Sequence, residues 1–177
     1  MKNIFTLHRI LFGILLIALI IAAEFTFHYS GLPAWPAFLG MIFFFLGKRD
    51  VKLIPPILAG SLFGFLCAFL IVPFKAAFGE TLGDAFNALV LFVAVFVMCI
   101  VLFKDALPLI MNDYAFMLFL VSSIAFRAEK GFNPAGSPGV DHAPIFITWM
   151  CVAMIGGGIL IAGIIGVARL TDRIAGE

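Results

Sequence analysis

The chain has 177 residues, 64% of them hydrophobic and 12% charged, with a mean hydropathy of +1.20. Soluble domains run near ~45–50% apolar and ~25% charged, so this composition points to a membrane protein, with one domain's worth of residues. A net charge of +1 excludes the electrostatic footprint of a nucleic-acid binder.

Six apolar segments follow one another, at roughly residues 10–29, 34–47, 53–74, 82–103, 106–126 and 145–170. The first comes after Lys2, His8 and Arg9 in the manner of a signal peptide. Glu24-Phe-Thr-Phe-His28 offers no small-residue cleavage site, however, and the run exceeds an ordinary signal core. A retained first helix is expected. The second segment, AWPAFLGMIFFFLG, supplies about 13 apolar residues where a crossing needs roughly 20.

The third segment carries Pro55-Pro56, tolerated only in a first turn, so its helix is expected to start there and to end at Pro73. The fourth has no charge after Asp84; Asp84 and Asn87 read as helix-start capping. The fifth ends in DYAFMLFLVSSIAF, residues 113–126, a short run that echoes the second. In the sixth, Gly156–Gly158 lacks the following lysine and hydroxyl residue of a phosphate loop, and close helix packing explains it better. Cys67, Cys99 and Cys151 lie singly in apolar runs, as buried small hydrophobes do.

Basic residues set an orientation. With the first residues inside, the inner side holds Lys2, Arg9, Lys48, Arg49, Lys52, Lys104, Arg169 and Arg173, and the outer side Lys75, Arg127 and Lys130. That is the positive-inside pattern, with both termini cytoplasmic. The glycine- and proline-rich stretch 128–144 then forms an outer loop or a lid.

Placing residues 34–48 over 113–127 aligns Trp35 with Tyr114, Leu39 with Leu118 and Lys48 with Arg127. Each short run precedes a longer helix with a small-residue seam: Gly60, Gly64 and Ala68 in one, Gly158, Ala162 and Gly166 in the other. Small residues four apart let helices approach closely, and these seams allow a homo-oligomer as well as internal packing. The expected fold is therefore an all-α polytopic membrane protein of about six transmembrane helices. It forms a single transmembrane domain of two inverted three-helix repeats, about residues 1–79 and 80–177, with short central helices. In transporters built this way the site lies between the repeats near the midplane.

The segment Trp35, Phe38, Leu39, Gly40, followed by an aromatic-rich run, a hydrophilic turn and a glycine-containing helix, loosely resembles a family of small bacterial inner-membrane proteins of unknown function. The second half departs from that pattern, with Phe119 where the partner of Gly40 should be. The resemblance implies an integral-membrane fold and supplies neither an activity nor catalytic residues.

Few residues can carry chemistry. A helix counted inward from Lys104 and Asp105 places Asp113 about 13 Å into the hydrocarbon. A carboxylate at that depth must face protein or water. Asn112-Asp113 also suits the start of a short helix. If residues 106–111 and 114–126 are separate pieces, the segment is a broken helix with a carboxylate in the break, lining a cavity. Otherwise Asp113 is a structural cap, with the membrane boundary shifted toward it. Glu24 and His28 stand one turn apart and could form a pH-sensitive gate, or else reach the headgroups from the interface. Ser122 and Ser123 either line a polar path or bond across helices. No metal site, cofactor motif or nucleophile–base pair stands out, so an enzyme is not expected.

The leading expectation is a small-solute channel or transporter, with Asp113, Asn112, Glu24, His28, Ser122 and Ser123 along the pathway. A carboxylate there favours a neutral or cationic solute, or protons. The alternative is a membrane subunit that binds a ligand or partner within a larger complex. The lipid bilayer is a partner in either case.

Overall fold

The computed structural model describes residues 6–130 and 143–175, and among these the only regular structure is helical. Helix α1 spans Leu7–Tyr29, α2 Trp35–Leu46, α3 Ile54–Phe78, α4 Ala85–Phe103 and α5 Asp113–Lys130. Beyond the undescribed residues, α6 (Ala143–Cys151), a π turn (Val152–Gly156) and α7 (Gly157–Ala175) follow without a break. Among the described residues, four stretches are long and apolar enough to cross a membrane: Leu7–Tyr29, Val51–Phe78, Ala85–Phe103 and Ala143–Ile174. Helices α2 and α5 contribute shorter apolar stretches. The chain is thus an all-α protein with the helices of an integral membrane protein.

Local chemistry sets the helix ends. The hydroxyl of Thr6 accepts from the Arg9 amide at 3.4 Å and opens α1. The carboxylate of Asp84 accepts from the Asn87 amide at 2.6 Å and opens α4, which is the capping role read from the sequence. Pro55 and Pro56 lie in the first turn of α3, where their missing amides cost nothing. Helix α2 closes through Gly47 and two successive residues in the left-handed region, Lys48 (φ 55°) and Arg49 (φ 63°).

Two expectations are corrected. Pro73 does not end α3, which continues to Phe78. A proline removes one backbone bond, and the ring contacts of Phe74 with Phe78 (4.8 Å) and Phe92 (5.2 Å) hold the turns beyond it. Residues 104–112 are turns and bends, so the helix counted inward from Lys104 is absent and the regular helix starts at Asp113, with the segment interrupted before it. Pro108 and Asn112 interrupt an otherwise apolar run there.

The helices gather into two compact units, Met1–Asp50 with Cys151–Glu177, and Val51–Met150. In the first, α1 runs antiparallel to α7: His8 meets Asp172, Leu19 meets Gly163, and Phe27 meets Gly156. It also runs antiparallel to α2, since Phe12 lies under Arg49 and Phe27 packs against Phe38. Helices α2 and α7 are therefore parallel. They approach where Gly40 and Ala37 face Gly157 and Gly156; a methyl on Gly156 would press on the Ala37 Cβ at 3.1 Å.

In the second unit α3 and α5 run parallel, with Gly60 against Asn112 and Gly64 against Ala115, Leu118 and Phe119. Helix α4 lies antiparallel across Phe63–Phe96 and Phe74–Phe92, and Phe96 stacks on Phe119 at 4.1 Å. Phe146 and Trp149 of α6 close the cluster around Phe65, Phe69 and Phe126. Lipid is as apolar as leucine, so burial alone holds such helices together weakly. Close backbone approach at glycine and interlocked aromatic rings supply the preference for protein over lipid.

Each unit thus contains a short helix parallel to a long glycine-bearing one, with another long helix antiparallel to both. The units do not follow the halves 1–79 and 80–177. The third helix of each half belongs to the unit built on the other half.

Candidate functional sites: the start of α5 and the C-terminal end of α1

Asn112 is the most connected polar side chain at the candidate positions. Its amide nitrogen donates to the carbonyls of Pro108 (3.0 Å) and Leu109 (3.2 Å) in the preceding turn, and to Pro56 of α3 at 3.0 Å. Its side-chain oxygen accepts from the Ala115 amide at 3.0 Å. One side chain thereby caps α5, ties down the irregular segment before it and fixes that helix to α3. Gly60 is what makes the room, because a methyl there would run into the Asn112 amide. Gly64 does the same for the α5 backbone at Ala115.

Asp113 is the first residue of α5 and is exposed. The depth of about 13 Å expected for it relied on a helix running from Lys104, and residues 104–112 form none, so that depth does not follow. Its carboxylate sits where a helix N-terminus favours negative charge.

The two serines bond to carbonyls of their own helix. Ser122, 0% exposed, donates to the carbonyls of Leu118 and Phe119 of its own helix. Ser123 donates to Phe119 at 2.7 Å. Back-bonding of this kind satisfies the hydroxyl proton within the helix. Glu24 and His28 are both exposed near the end of α1. Among the described residues no ion pair joins them, and His28 instead packs edge-on to Tyr29 at 5.6 Å.

The small-residue seams divide. Gly60, Gly64 and Ala68 are in the α3 interface, with Ala68 3% exposed. Among the described residues nothing lies within 4 Å of a Cβ added at Gly158 or Gly166, and Ala162 is exposed. In α7 it is Gly157 and Gly163, with Gly156 of the π turn, that meet neighbouring helices. Most of the 128–144 loop lies outside the described residues. Among the described residues no three His, Cys, Asp or Glu side chains cluster as metal ligands.

Sequence reasoning missed three features: the reach of Asn112 to α3, the left-handed Lys48-Arg49 turn and the π turn. Pro108 four residues before Asn112 was the available signal for the first. The other two had none that a single sequence reveals. Comparison with protein-family models, with curated proteins and with solved structures gave no match.

Proposed function

We propose that the chain is a membrane channel or transporter for a small neutral or cationic solute, or for protons, working from two inverted three-helix repeats. The observation that carries this reading is the pair of short apolar stretches, Trp35–Leu46 in α2 and Asp113–Phe126 in α5. Helix α2 has 12 residues, about 18 Å of rise, against a hydrocarbon core of about 30 Å. Non-helical backbone lies on both sides of it and immediately before α5. Irregular backbone at membrane depth is tolerated where it is buried in protein or lines water. Interrupted or half-length helices are a recurring device of transporter sites.

Asp113, at the start of α5, is the pathway group of choice, and Glu24 with His28 forms a second polar station. Asn112 holds the α5 start in place. A location in the bacterial inner membrane, with both ends of the chain in the cytoplasm, completes the reading. Nothing in it calls for a catalytic step.

A second reading, a membrane subunit that docks a partner or another copy, draws on one specific feature of α7: among the described residues nothing lies within 4 Å of a Cβ added at Gly158 or Gly166, and Ala162 between them is exposed.

Purified protein in proteoliposomes, challenged with small neutral, cationic and anionic solutes, separates the two. Selective flux that falls at least tenfold in Asp113→Asn is the expected result. Folded protein that passes no solute would remove the stand-alone channel and leave the subunit reading.

A further inference from the structure

We propose that the basic end of the first unit binds the phosphate headgroup of an anionic phospholipid. The antiparallel pairing of His8 with Asp172 (2.9 Å) and of Phe12 with Arg49 brings the start of α1, the end of α2 and the end of α7 to one end of that unit. Arg9, Lys48, Arg49, Arg169 and Arg173 are all exposed there. The described carboxylates at the same end are Asp50 and Asp172. Two carboxylates, one of them bonded to His8, face those five cations, so cationic charge is left in excess.

Two features make this more than scattered surface charge. Lys48 and Arg49 occupy consecutive left-handed positions, which glycine adopts at lower cost. The turn thus holds two cations where backbone geometry favours a residue with no side chain. The guanidinium of Arg49 lies 5.0 Å above the Phe12 ring, which restrains it while leaving its edge N–H groups for a phosphate.

The flanks argue for a lipid over a free anion. Leu7 (68% exposed), Leu46 (71%) and Ile174 (57%) stand among these cations, offering apolar contact to acyl chains beside a phosphate held by arginines. This inference requires a bilayer and is independent of any transport activity.

The test uses the full chain purified in a neutral detergent. Retention of phosphatidylglycerol, phosphatidylcholine or inorganic phosphate is followed by native mass spectrometry, with thermal unfolding as a check on each variant. Phosphatidylglycerol should be retained and phosphatidylcholine should not. Arg49→Gln and Arg173→Gln should each weaken retention about fivefold. Phe12→Leu, which leaves the charge unchanged, should weaken it too, whereas Lys75→Gln in the other unit should not. Arg173, exposed on the last turn of α7, is the substitution least able to disturb the fold. Equal retention of the two lipids, inorganic phosphate binding as well as phosphatidylglycerol, or wild-type retention by both arginine variants would each overturn the proposal.

Discussion

Gly60 and Gly166 sit on long apolar helices and are equivalent by spacing, yet they do opposite things. A methyl at Gly60 meets the Asn112 amide, whereas one at Gly166 meets nothing. Gly60→Ala should therefore cost about 1–3 kcal/mol through overpacking. Gly166→Ala should be neutral, or should stabilise by up to about 1 kcal/mol through helix propensity. Reversible unfolding in mixed micelles, by denaturing detergent titration, reads both. Spacing of four residues identifies a face of a helix but not which face finds a partner. In Gly156–Gly158 three adjacent glycines offer three faces, and the pair that meets α2 is fixed by tertiary packing. The same limit applied to Ser122 and Ser123: a hydroxyl in an apolar helix was legible, but its bond to its own helix was not.

At the scale of elements, apolar length was enough to place α1, α3, α4 and the long final helical stretch, because each must satisfy its backbone internally if it lies in lipid. Ends governed by side-chain chemistry, such as Asp84 before α4, were legible as well. The failures fall where an apolar run says nothing about backbone direction. Residues 104–112 read as helix because most of them are apolar, although Pro108 and the Asn112 bonds turn the chain there. The antiparallel pairing of α1 with α7, pinned by the His8–Asp172 bridge, carries a prediction of its own. In a background without Cys67, Cys99 and Cys151, cysteines introduced at Thr6 and at Ala175 should react with a membrane-impermeant maleimide from the same side. Labelling from opposite sides would break the pairing.

For the whole molecule, the sequence conveyed a membrane protein of short and long helices, and it suggested halves in chain order. The compact units are instead interleaved, since the helix that meets α1 and α2 lies more than a hundred residues further along. Hydropathy cannot reveal such an exchange, because α3 and α7 both belong to long apolar stretches and either could pack against either pair. The interleaving has a consequence for biosynthesis. Residues 51–150 form a continuous stretch and can assemble as soon as they leave the ribosome, while α1 and α2 must wait for the last helix to be made. A chain stopped after Met150 should keep the α3–α5 contact, seen as slow amide exchange around Ala115, while α2 exchanges fast for want of Gly156 and Gly157. The earliest-made helices of this protein would then be the last to find their places, and until then they would depend on lipid or a chaperone for cover.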